Sequence, residues 1–151
     1  MHSLAGQAVI RTSDRDAVVS RHLRVVVADD LPHMLDTMTA ILEKKGDVDV
    51  VATASNGIGA IRAAQRLSPD LVVLDIDMPV MNGFEAAIHI KRRLPDIKIL
   101  FVSADDDPDL VLAAFACGAD AFLCKRNFTT MCAWQLQLLF PGLMRASSAV
   151  V

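Results

Sequence analysis

The sequence predicts an α/β protein, a five-stranded parallel sheet with helices on both faces. Three observations carry that reading. From Leu23 onward, short apolar runs alternate with segments of helical period. Several runs are apolar throughout, as in strands buried on both faces. The connections are short, so each helix must return the chain for another parallel strand by a right-handed crossover.

The elements follow in order. LRVVVA is the first strand. Pro32 suits the first turn of a helix. Leu35, Met38, Ile41 and Leu42 give it an apolar stripe, and Gly46 stops it. DVDVVATA is the second strand. The second helix begins near Asn56-Gly57, presents Ile58, Ile61, Ala64 and Leu67 inward, and ends at Ser68-Pro69-Asp70. LVVLD is the third strand, followed by the loop MPVMNG. Phe84, Ala87, Ile88 and Ile90 mark a third helix that Pro95 ends. IKILFVS is the fourth strand. DDDPD opens a fourth helix carrying Leu110, Leu112, Ala113 and Phe115, which Gly118 terminates. DAFLCK is the fifth strand, and a last helix spans Asn127 to Phe140. Residues 1–22 lack a strong period and read as a flexible or weakly helical extension. The expected division is extension 1–22, domain 23–140 and tail 141–151.

The bulk properties narrow the function. The 151 residues fit one domain with a real core. Hydrophobic content of 53% and charged content of 22% describe a globular chain. A net charge of −3 gives no electrostatic case for nucleic acid or anionic membrane. Lys91, Arg92 and Arg93 read as a solvated helix end. Cys117, Cys124 and Cys132 are odd in number and lack CxxC spacing, which fits reduced thiols and a cytoplasmic location. No secretory signal and no membrane span are expected. His33, His89, Met78 and Met81 read as ordinary packing or surface residues.

The chemistry gathers at strand ends. The first strand leads into Asp29-Asp30, the third ends in Asp75, and the fifth leads to Lys125. In a parallel sheet these C-terminal ends share one edge, where ligands bind. Helix capping accounts for one acid of the first pair, not for both. Asp75 follows four apolar residues, so its carboxylate needs a cation or a partner. Three converging carboxylates favour a divalent cation, and hard oxygen donors favour magnesium. A carboxylate can attack phosphorus to give an acyl phosphate. Asp75 is then the nucleophile, Asp29 and Asp30 hold the metal, Lys125 neutralises a phosphate oxygen, and Ser103 can donate its hydroxyl hydrogen.

These residues resemble the receiver domain of two-component response regulators. The likeness covers Leu23 to Phe140 and includes the acidic pair, LVVLDIDMPVMNG (an LD-x-x-MP-x-x-x-G pattern), Ser103-Ala104 and GADAFLCK. The opening DDLPH and GADAFLCK look most like receivers that carry a C-terminal helix-turn-helix. The resemblance implies a flavodoxin-like (βα)5 fold. It implies that Asp75 takes a phosphoryl group from a histidine kinase, a phosphotransfer protein or a small phosphodonor. It implies that Asp30 binds Mg2+ directly, Asp29 largely through water, and Asp77 through its backbone carbonyl. Ser103 and Phe122 would be the switch residues, and the output a population shift on the face of the fourth helix, fifth strand and fifth helix.

Three features depart from that pattern. Arg126 follows Lys125 where the family has Pro, so that loop is expected to differ. Asp77 and Asp105 add acids beside the site. Phe122 lacks a hydroxyl and can switch by packing alone. The last helix is also unusual, since it carries no charge from Asn127 to Phe140. Phe128, Cys132, Gln135 and Leu139 are expected to face the sheet. Met131, Trp134, Leu136, Leu138 and Phe140 lie outside that stripe, and Met131, Trp134 and Leu138 are the expected partner or homodimer surface.

Two other functions compete with a stand-alone receiver. One is the receiver half of a DNA-binding transcriptional regulator. Only Arg145 to Val151 follow the last helical pattern with its Pro-Gly end, so specific nucleic-acid binding by this chain is not expected. The other is a haloacid-dehalogenase-like phosphatase, since Asp75-Ile76-Asp77 has a DxD form. That family places its DxD strand first and its acidic pair last, the reverse of the order here.

Overall fold

The computed structural model describes residues 21–142. Most of the expected extension (1–20) and tail (143–151) lie outside the described residues. The elements run β1 (Leu23–Ala28), α1 (Pro32–Glu43), β2 (Val48–Ala54), α2 (Gly57–Leu67), β3 (Leu71–Asp75), α3 (Gly83–Arg93), β4 (Lys98–Ser103), α4 (Pro108–Ala116), β5 (Ala121–Cys124), a 3-10 turn (Lys125–Asn127) and α5 (Phe128–Leu139). The five strands form one parallel sheet in the order β2-β1-β3-β4-β5.

Alternation along the strands divides the core into two layers. Val25, Val27, Val73, Leu100, Val102 and Leu123 face α1 and α5, meeting Met38, Leu42, Phe128, Cys132 and Leu136. Val26, Val72, Leu74, Ile99 and Phe101 face α2, α3 and α4. Phe84 packs edge-on against Phe101 at 5.6 Å.

The inner faces of three helices differ from the expected stripes. In α2 the buried face is Ala60, Ala63 and Ala64, with Ile58, Ile61 and Leu67 only partly covered. In α3, Ala86 joins Ala87 and Ile90 while Ile88 is exposed. In α4 only Ala114 is buried, and Leu112 and Phe115 are left 68% and 47% exposed. Alanine lets these helices approach the sheet closely, so the small side chains carry the contact and the larger ones fall at its margins.

In α5 the buried stripe is Phe128, Cys132 and Leu136, at i, i+4 and i+8. Gln135 and Leu139 flank it. Leu136 was expected outside this stripe and is core. Met131 was expected on a free surface; it is instead partly buried and packed on the core, as is Phe140. Trp134 and Leu138 remain outside, 52% and 58% exposed. Among the described residues no helix is long and apolar enough to cross a membrane.

Candidate functional site

The strand register assembles the site. Ala28 pairs with Leu74, which sets Asp29 beside Asp75. Asp75 pairs with Val102, so Ser103 lies one residue beyond, and Ser103 pairs with Cys124. Asp29, Asp75 and Ser103 are buried at the C-terminal edge of the sheet, and Asp30 is exposed above them. Lys125 is not the end of β5. It opens the 3-10 turn that follows, which swings its side chain back across the edge.

Carboxylate oxygens of Asp29, Asp30 and Asp75 lie within 4.8 Å of one another. The Lys125 ammonium sits 2.7 Å from Asp29 Oδ2 and 3.3 Å from Asp75 Oδ1. Asp29 Oδ1 accepts the Leu31 amide at 2.9 Å, which secures the turn into α1. Leu31 occupies the N-cap position and caps nothing with its side chain, so Asp29 is not a helix cap. Asp29 Oδ2 is buried and meets Lys125 as an ion pair without a well-aligned hydrogen bond. An under-satisfied buried carboxylate oxygen beside two other acids fits a divalent cation bound there.

Electrostatics at Asp75 reflect this crowding. Burial and then the Asp29 charge raise its pKa from 3.8 to about 6, against the opposing pull of Lys125 and the Asp77 amide. Burial also works against the Lys125 charge. Its hydrogen bond to Asp29 and the charges of Asp75 and Asp29 outweigh that and hold its pKa above the ordinary lysine value.

The remaining expected residues are placed as follows. The Asp77 side chain is exposed and outside the converging group; its backbone amide serves Asp75. Ser103 Oγ accepts the Asp105 amide at 3.1 Å. Phe122 pairs with Phe101 and is partly buried against the α2–α4 layer. His33 and His89 are exposed. Met78 is core, and Met81 packs beside it.

Two site features went unread in the sequence. Lys125 neutralises the acids themselves in the absence of a ligand, which the coincidence of an ammonium with buried carboxylates could have signalled. Gly83 lies directly beneath Asp75: a β-carbon there would fall 2.3 Å from the Asp75 carbonyl oxygen and 2.9 Å from Ile76 Cα. The MPVMNG pattern gave that glycine as a loop residue only.

A parallel sheet with three acids and a lysine at the carboxyl edge defines a phosphoryl-accepting signalling fold. The chain belongs to the response regulator receiver domain family, whose pattern matches residues 25–132. It is 35% identical to the transcriptional regulatory protein LnrK of Bacillus subtilis over 103 residues, 68% of this chain and 47% of that protein. It is 37% identical to the chemotaxis protein CheY of Listeria monocytogenes, over 68% of this chain and 86% of CheY. Among solved structures it is similar to the response regulator domain of Thermotoga maritima CheB, with TM-score 0.72 and 28% identity over 81% of this chain and 96% of that one. The receiver domain of the response regulator NarL from Mycobacterium tuberculosis gives TM-score 0.67 and 34% identity over 70% and 85%. The chain spans about half the length of several curated relatives it matches, LnrK among them. Receiver domains bind Mg2+ at an acidic cluster and act with histidine kinases or phosphotransfer proteins. A haloacid-dehalogenase-like phosphatase is therefore set aside.

Proposed function

We propose that Asp75 accepts a phosphoryl group from a phosphohistidine of a kinase or phosphotransfer protein. The observation that carries this reading is a buried carboxylate at the sheet edge, beside two acids able to share a cation and an ammonium 3.3 Å away. A carboxylate oxygen of Asp75 bonds to phosphorus as the P–N bond breaks. The departing imidazole nitrogen keeps the electron pair and takes a proton. Asp29 and Asp30 would hold Mg2+, with the Asp77 carbonyl as a further oxygen donor; the ion supplies charge neutralisation on the transferred group. Lys125 exchanges its contact with Asp29 for a phosphoryl oxygen. Ser103 donates its hydroxyl hydrogen to another, and Phe122 repacks in response.

The test is acetyl phosphate or beryllofluoride with Mg2+, on wild type and Asp75→Asn. Wild type should take up one phosphoryl group per chain, and the variant none. Labelling that survives the substitution would defeat the assignment.

A second element of the proposal concerns output. Trp134 and Leu138 lie one helical turn apart on the outer side of α5 and are about half exposed. They form the association surface, whether the chain acts alone or as the receiver half of a transcriptional regulator.

A further inference from the structure

We propose that Arg126 is a positioning residue for this phosphoryl site: its guanidinium clamps the loop after β4 and holds Ser103 in its resting place. The proposal rests on the reading of Asp75 given above.

Arg126 is the middle residue of the 3-10 turn, directly after Lys125. One guanidinium nitrogen contacts Cys124 Sγ at 2.8 Å, and the other donates to Asp106 Oδ2 at 2.8 Å. Cys124 Sγ in turn reaches the Ala104 carbonyl at 3.6 Å. The end of β5 and the segment 104–106 are thereby joined through one side chain. Among the described residues, Arg126 is the cation paired with the acid run Asp105, Asp106 and Asp107.

The loop is itself a ladder rooted on Ser103. The Asp105 amide donates to Ser103 Oγ at 3.1 Å, the Asp107 amide to Asp105 Oδ1 at 3.0 Å, and the Asp109 amide to Asp107 Oδ1 at 2.8 Å. Ser103 can move toward Asp75 only by releasing the Asp105 amide or by carrying the loop with it. Carrying the loop displaces Asp106 from Arg126. The clamp thus favours the resting arrangement, and a phosphoryl group on Asp75 must compete with it.

The Arg126–Asp106 pair is exposed, with 62% and 55% of the side chains open to solvent. A pair of that kind shifts an equilibrium about two- to fivefold. The effect is a bias on the switch and not a lock.

The experiment is beryllofluoride affinity with Mg2+ for wild type, Arg126→Ala, Arg126→Lys, Asp106→Asn and the Arg126→Ala/Asp106→Asn double variant. Arg126→Ala and Asp106→Asn should each tighten binding about two- to fivefold, and the double variant should tighten it no further. Arg126→Lys should fall between, since lysine keeps the charge without the fork. High salt should shrink the differences. Alkylation mapped to Cys124 should be faster in Arg126→Ala, while Cys132 is unchanged. Unaltered or weaker affinity in folded Arg126→Ala overturns the clamp, as does an additive double variant, which would report bulk charge alone. If wild type shows no Asp75-dependent beryllofluoride binding, the phosphoryl reading falls and the clamp with it.

Discussion

Asp75 holds its charge in a place that resists it. Its pKa is raised to about 6, so the folded chain binds this proton more tightly than the unfolded chain does. The sign follows: the stabilising contribution of the protonated form is complete below about pH 4 and is lost as pH rises through about 6. At neutral pH the ionised carboxylate costs about 3 kcal/mol in the absence of a cation. Asp75→Asn should therefore be more stable than wild type at pH 7.5 in EDTA. The gap should close as pH falls toward 4, and Mg2+ should narrow it at pH 7.5. Urea denaturation across that range measures it; a gap independent of pH would show that Asp75 bears no such burden. The acids and the lysine were legible from the sequence because polar residues at the ends of apolar runs are conspicuous. Their resting ion pairs were not, since pairing depends on how the 3-10 turn aims Lys125.

At the scale of elements, the number, kind and order of strands and helices could be read from periodicity, turn residues and short connections. Which side of each helix faces inward was less legible. Alanine carries little weight in an apolar pattern, yet Ala60, Ala63, Ala64, Ala86, Ala87 and Ala114 make the α2–α4 contact. The larger Ile88, Leu112 and Phe115 drew the expected stripes off that face. The loop between β3 and α3 shows the same limit. Gly83 is needed because backbone, not a side chain, lies where its β-carbon would be. Gly83→Ala should destabilise the fold by about 1–3 kcal/mol and slow Asp75 labelling, because relief requires moving the Asp75 backbone. Gly142, with nothing within 4 Å, is the matched control. Equal denaturation midpoints for the two variants would show that the β3–α3 approach is looser than the structure has it.

For the molecule as a whole, the sheet order places β5 at an edge, with α5 packed against β5 and α1. The helix that follows Lys125 therefore links the chemical edge to an outer surface. Phe128, Cys132 and Leu136 hold α5 to the core, while Trp134 and Leu138 contribute little to that attachment and stay half exposed. Folding does not require those two large apolar groups where they are, and exposed apolar groups of this size usually mark a partner site. Trp134→Glu with Leu138→Glu should leave the melting temperature within a few degrees of wild type, because the buried stripe is untouched. The same pair should convert a beryllofluoride-loaded wild-type dimer to a monomer in sedimentation velocity. A wild type that stays monomeric in every state, with no change on substitution, would remove self-association through α5. A large loss of melting temperature would instead make Trp134 and Leu138 part of the fold, as Met131 already is.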